Sequence, residues 1–405
     1  MSSRERLLAV LRGKQTDLIP WAPFLTYWWD QNLIAGAEKL GEIGFKKAVG
    51  ADILMRGHGD RAAHNEYEDL FTFKISRDKT RITETVNGDK KEVRYETPLG
   101  SLKASYTYSP FGDTWFLTEH PVKTAGDLKI LEYMAEDTAL TPDFEPYLQE
   151  AKKNPDALFL PLITPFTKTA FQSMIEFWVG TEELCYLEAD EPGAVKNTLA
   201  AMRKVSMNAA RISASSPAEA FISWEDSSTT NVSPAWYEEY ILPEINGWCE
   251  VLHEKNKLYI QHACGHLRNL LPLIGNSKID ALESVSEAPT GNISLKEISQ
   301  SFPEHITIIG GIEPTFFINS GKEELENRVD FLCDLFQGKR FILANADSCP
   351  PQVDIDKFGI VSRRIHEKKG LEVARIIQFD KSERIMPRGV SRYHGSPSGT
   401  KGNDN

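Results

Sequence analysis

Cysteine is scarce: Cys185, Cys249, Cys264, Cys333 and Cys349 are all that 405 residues contain. An odd number so thinly spread excludes a disulfide-stapled scaffold and leads us to expect a reducing, cytoplasmic setting. No run of about 18 apolar residues occurs, so no membrane-spanning helix is expected. The opening "MSSRERLLAVLRGKQTDLIP" does not read as a signal peptide, because Arg12 and Lys14 interrupt its apolar stretch and no small-residue cleavage site follows. A basic block is also missing. With a net charge of −12 the chain has no electrostatic footprint for nucleic acid or an anionic membrane. No glycine-rich dinucleotide fingerprint follows the first strand-like run, and there is no repeat of solenoid length.

What is present is ordinary globular material, 41% hydrophobic and 26% charged. Short β-type runs recur at 19–24, 51–55, 158–163, 220–224, 258–262, 279–283, 306–310 and 341–344, each followed by a helical pattern. Near-continuous apolar runs such as "LFLPLI" and "ITIIGG" suit a parallel sheet covered on both faces. Right-handed crossovers then favour an α/β fold of the (β/α)8 TIM-barrel type, with a doubly wound open sheet as the alternative. Residues 71–118 break the rhythm with alternating polarity and an Asn87-Gly88 turn, the pattern of an antiparallel β-hairpin insertion between the second and third βα units. One domain over 1–385 is expected. The tail 386–405, rich in Gly, Ser and Pro, is expected to be disordered.

In a parallel barrel, chemistry collects where strands end. The fifth run ends "YIQHACG", the sixth "DALES", and Cys349 lies just beyond the eighth, "FILANADSC". His262 and Cys264, two apart on extended chain, point the same way. Together with Cys349 and Glu283 they make a chemically reasonable tetrahedral zinc shell. The competing reading is plain burial, since cysteine is among the most buried residue types. Burial is the reading we give Cys185, Cys249 and Cys333, which fall in helical patterns. His266, in the turn after the loop, is read as supporting or structural. Glu225 and Asp226 in "SWEDSS" are candidates for proton transfer or for holding a substrate hydroxyl, or else one of them caps the next helix. Asn345 and Asp347 are candidates to support a metal ligand or touch substrate. Asp347 also suits an ordinary loop turn. Tyr27, Trp28 and Trp29, with Trp224, offer flat walls for an aromatic substrate, or else simply pack the barrel mouth.

These stretches carry a resemblance. From "RERLLAVLRGKQTDLIPWAPF" through "VGTEELCYLEADEPGAV", "EDSSTTNVSPAWYEEYILPEI" and "QHACGH" to "ITIIGGIEP" and Cys349, the chain resembles the uroporphyrinogen decarboxylase superfamily, in particular its zinc-dependent, corrinoid-linked methyltransferase branch. The resemblance implies a catalytic zinc on His262, Cys264 and Cys349. Glu283 is the match for a fourth ligand, with Glu287 as its rival. It implies transfer of a methyl group from a methoxylated aromatic to the Co(I) corrinoid of a partner protein. The runner-up is transfer from methylcobalamin to a zinc-bound thiol such as coenzyme M. No "DxHxxG" stretch is present, so the corrinoid is expected on a separate, transiently docked protein, and a homodimer is compatible with the sequence. Tetrapyrrole decarboxylation is disfavoured, because "PFLTYWWDQN" holds no arginine where that branch clamps carboxylates. A metal-free binding protein on the same fold is the remaining alternative.

Overall fold

The computed structural model describes residues 1–32, 40–61, 68–109, 114–372, 376, 377 and 379. The expected tail over 386–405 lies outside them. In chain order the strands are β1 (Leu54–Arg56), β2 (Phe73–Arg77), β3 (Arg81–Asn87), β4 (Lys90–Thr97), β5 (Gly100–Ser109), β6 (Thr114–Glu119) and β7 (Thr138–Pro142). There follow β8 (Leu158–Leu160), β9 (Ala220–Trp224), β10 (Leu258–His262), β11 (Ala281–Val285), β12 (Thr307–Ile312) and β13 (Phe341–Asn345). Strands β9 to β13 form one parallel sheet in sequential order, and β1 pairs in parallel with β8. The fold is α/β. Strands β10 to β13 are buried along their whole length and β9 along all but its last residue, which explains why their sequences are apolar almost without alternation.

Proline accounts for two strands that fall short of their expected lengths. The run at 19–24 contributes only a single parallel bridge, Trp21 to Leu343, because Pro20 and Pro23 have no N–H to give a ladder. Pro161 ends β8 early, and beyond it Leu162 makes one bridge to Ile222. The backbone N–H of Asp52 donates to the Trp21 carbonyl at 2.6 Å. Between β1 and β8 the chain turns antiparallel: β3 to β6 form a four-stranded sheet whose first hairpin turns at Gly88 and Asp89, one residue past the expected Asn87-Gly88 pair, with Gly88 at φ 61°. Strand β2 instead pairs with β7, beyond the stretch that alternation marked out.

One apolar cluster draws on every parallel segment: Ala22, Leu54, Leu160, Ile222, Ile260, Ala281, Ile309 and Ile342 all belong to it. The helix Ser3–Leu11 covers it through Leu7, Leu8, Val10 and Leu11. A Ser2–Glu5 capping box starts that helix. Leu7 is fully buried, so Leu7→Ala is expected to cost about 2–5 kcal/mol, to be measured by denaturant unfolding. Outside the sheet, the helix Pro192–Ser215 buries Val195, Leu199, Met202, Val205 and Ala209, a stripe at helical spacing. Cys249 and Cys333 are core residues as expected, whereas Cys185 is exposed, on the outer side of its helix.

Candidate metal centre

The carboxyl ends of β9, β10 and β11 lie side by side, and the register places His262 directly opposite Trp224 on one neighbour and Glu283 on the other. Beyond β9 the chain enters the left-handed region at Asp226, φ 45°, while the N–H groups of Glu225 and Asp226 both donate to the His262 carbonyl. This turn brings Asp226 over His262 and Cys264. Asp226 Oδ1 lies 3.4 Å from His262 Nε2 and accepts from Cys264 Sγ at 3.6 Å. The three ligand atoms are all within 4.8 Å of one another. Two ligands on a tetrahedral zinc stand roughly 3.3–3.6 Å apart, given metal bonds of about 2.0–2.3 Å, so the two separations from Asp226 fit that ion.

The other face of His262 is held in place. Nδ1 pairs with Glu283 Oε2 at 3.1 Å and lies 3.2 Å from Ser284 Oγ. The Ser284 contact exists because the β11–β12 register shifts between Glu283 and Val285, with Ser284 at φ 74°; the irregularity re-aims one side chain at the imidazole. Glu283 Oε1 accepts from Arg56 Nε at 2.5 Å, and Arg56 also donates to the Ala22 and Pro23 carbonyls. Arg56 and Glu283 are each 1% exposed, so this is a fully buried ion pair. Glu283, expected as a metal ligand, thus stands behind the histidine, because Arg56 and Nδ1 take its oxygens. Its rival Glu287 is engaged elsewhere, by Arg328 at 2.5 Å and the Leu295 N–H.

Electrostatics match this arrangement. Burial alone would raise the Glu283 carboxyl, but Arg56 and His262 outweigh it and hold the group below its ordinary range. Burial likewise opposes ionisation of Asp226, and Lys168 and His262 overcome it. The Cys264 thiol is pushed far up, first by burial and then by the Asp226 and Asp347 carboxylates. Burial and the neighbouring carboxylates thus both oppose a thiolate at Cys264, and a bound cation would favour one.

The remaining expected residues divide. Cys349 stands outside the group of mutual ligand atoms: its N–H is tied to the Phe24 carbonyl at 2.8 Å, and its fully buried Sγ lies 3.8 Å from the Pro350 carbonyl. Glu225 points away from Asp226, as consecutive residues at a strand end do, and accepts from Thr169 N and Oγ1 at 2.9 and 2.5 Å. It is fully buried, its carboxyl is pushed up to about 8 by that burial, and it stands outside the three grouped ligand atoms. Trp224 stacks on Phe24, centroids 5.5 Å apart, and meets the His262 ring edge-on at 5.1 Å. Trp28 and Trp29 are core residues, not walls of the site. The Trp28 ring packs on Phe45 and Phe358 and its Nε1 donates to the Val353 carbonyl at 2.7 Å. Trp29 packs on Phe45. Tyr27 is half-buried, its N–H donates to Ser348 Oγ at 3.3 Å, and burial, then Asp347 and Asp226, raise its phenol. Asn345 bridges the N–H and carbonyl of Phe24 at 2.9 Å each, so it holds that segment in place. Asp347 is half-buried and accepts from Ser348 N at 2.6 Å. His266 acts through its backbone, bonded to Ser228 and Thr229.

Two participants escaped sequence reasoning. Arg56 sits one residue past an apolar run, and a charge terminating such a run was the available signal. Lys168, in "TPFTKTAFQ", carries no periodic signal at all.

The sequence model described as uroporphyrinogen decarboxylase (URO-D) matches residues 164–368, half of the chain, and the protein belongs to that family. Among solved structures, the chain is similar to a methyltransferase from Methanosarcina mazei at a TM-score of 0.56 and 11% identity, over 91% of this chain and 99% of that one. That likeness is one of fold. A B12-independent methionine synthase from Shewanella sp. W3-18-1, in complex with selenomethionine, aligns over 87% of this chain and 98% of its own at 10% identity, but its TM-score of 0.46 is too low to carry an argument. No curated protein matches the sequence. No helix among the described residues is long and apolar enough to cross a membrane.

Proposed function

We propose that this family member is a zinc-dependent methyltransferase that moves a methyl group from a methoxylated aromatic to the Co(I) corrinoid of a partner protein. The observation that carries the reading is the convergence of Asp226 Oδ1, His262 Nε2 and Cys264 Sγ at the carboxyl end of the parallel sheet. These three would hold the ion, with Cys349 proposed as a further ligand. When bound, zinc would supply Lewis acidity toward the oxygen that the methyl group leaves.

The chain's own residues prepare the rest. Arg56 and Glu283 fix the imidazole so that Nε2 faces Asp226 and Cys264. Trp224 and Phe24 present stacked aromatic surface beside the histidine, suited to a substrate ring. Asp347, Asp226 and Tyr27 would supply polar contacts for ring substituents. Among the described residues, Arg56 and Arg61 at this end of the sheet are already paired, with Glu283 and Glu42, which disfavours a substrate needing guanidinium clamps.

The architecture proposed with this function is a single TIM-barrel domain over 1–385, closed where the 19–24 segment meets β1 and β13, with the antiparallel strands inserted between the second and third βα units. The all-segment apolar cluster supports that closure. The protein would work in the cytoplasm.

The test is to incubate purified protein, after metal analysis, with a Co(I) corrinoid protein and a panel of methoxyaromatics, methylamines and methanol, reading methylcobalt formation by absorbance. Turnover only with methylcobalamin and a thiol would replace the proposed direction of transfer. Trp224→Ala is expected to raise KM for the aromatic donor roughly tenfold, the size of one lost stacking contact. An unchanged KM would remove Trp224 from the substrate wall.

A further inference from the structure

Lys168 is 2% exposed, and its ammonium is shared between two carboxylates, Asp226 Oδ2 at 3.0 Å and Glu176. Glu176 is in turn held by Gln172 Nε2 at 2.6 Å, on the π-turn Met174–Trp178. The Phe177 ring lies 4.8 Å from Lys168 Nζ and closes off another side of the ammonium. The backbone is just as constrained. Thr167 sits in the left-handed region at φ 62°, and its carbonyl accepts from the Trp224 N–H at 2.8 Å, so the segment bearing Lys168 is tied to the end of β9.

The consequence lies in the two oxygens of Asp226. Oδ2 is taken by Lys168, while Oδ1 faces His262 Nε2 and Cys264 Sγ. Asp226 stands on a left-handed residue beyond the strand, where its own rotation would otherwise let either oxygen, or both, face the group. We infer that Lys168 is a positioning residue that reserves one oxygen of Asp226 for the metal and locks the carboxylate in that orientation. The inference rests on the proposed metal reading and adds to it a residue that touches neither metal nor substrate.

Coulomb repulsion between the ammonium and a cation, on one side, and positioning, on the other, predict opposite signs here, which makes the inference testable. Removing a buried positive charge beside a cation site strengthens cation binding if charge alone matters. Loss of a residue that orients a ligand typically weakens it about 10–100-fold. Zinc dissociation constants are to be measured by chelator competition for wild type, Lys168→Met, Asp226→Asn and the double variant, with circular dichroism as the folding control. The expected result is about 10–100-fold weaker zinc binding in Lys168→Met and no further loss when that change is added to Asp226→Asn. Lys168→Arg, which keeps the charge and the donors, is expected to recover most of the affinity, and it remains informative if Lys168→Met fails to fold. Zinc bound by Lys168→Met as tightly as by wild type, or more tightly, overturns the inference. An equal loss in both Asp226 backgrounds also overturns it, since Lys168 would then not act through Asp226. A wild type that binds no zinc overturns the metal reading itself, and the inference with it.

Discussion

Cys264→Ala is expected to lose the metal: from about one zinc per chain in the wild type to near none, with methyl transfer reduced by at least about 100-fold. The reason is the donor count. Three ligand atoms converge within 4.8 Å, and Cys264 supplies the only sulfur among them. Without it, an imidazole and a carboxylate remain, a pair that holds zinc weakly without further donors. His262→Ala is expected to behave in the same way. Cys349→Ala separates two arrangements of the same site. If its thiol joins the group when metal binds, zinc is lost there too; if it stays packed against Pro350, zinc is retained. Elemental analysis of the three purified variants reads all of this directly. Full zinc content in Cys264→Ala would show that the metal, if any, lies elsewhere.

Arg56→Met is expected to cost about 3–5 kcal/mol of stability, the penalty for leaving one member of a buried ion pair without its partner. Arg56 and Glu283 are each 1% exposed and 2.5 Å apart, far from water that would screen the orphaned carboxylate. Glu283 also steadies His262 through Nδ1, so this variant should weaken zinc as well as the fold. The double variant Arg56→Met/Glu283→Gln removes both charges and is expected to recover much of the stability while leaving zinc binding impaired. Denaturant unfolding and chelator competition measured on the same samples check the two halves. A single variant as stable as wild type would mean that Glu283 takes up a proton in the folded protein at little cost.

The comparison between the expected and the observed site follows chemical lines. His262 and Cys264 could be read from "QHACG" because both lie at the end of an apolar run, and strand periodicity settles which residues share a face. The run itself, 258–262, has the bounds of β10. Glu283 was also found, but its role depends on a partner, Arg56, that is 227 residues away in sequence. Nothing in "ALES" indicates that a guanidinium will claim one oxygen and an imidazole the other. The pair Glu225 and Asp226 shows the same limit. Adjacent acids look equivalent in a string of letters, yet one is buried against Thr169 and the other faces His262 and Cys264, because the chain enters the left-handed region at Asp226 itself. The aromatic run "YWW" misled for a related reason. Burial of Trp28 and Trp29 depends on Phe45 and Phe358, which arrive from separate helices.

Local composition and periodicity were enough to establish an α/β chain of parallel strands, the ends of β9 and β10, and a histidine and a cysteine placed at or just past one of them, because these depend on neighbours a few residues apart. Which oxygen of which carboxylate meets them, which arginine steadies the histidine, and which lysine holds the aspartate were decided only when strands and loops far apart in sequence came together. Charge pairing acts through space at a few ångströms, and distance along the chain carries no record of it.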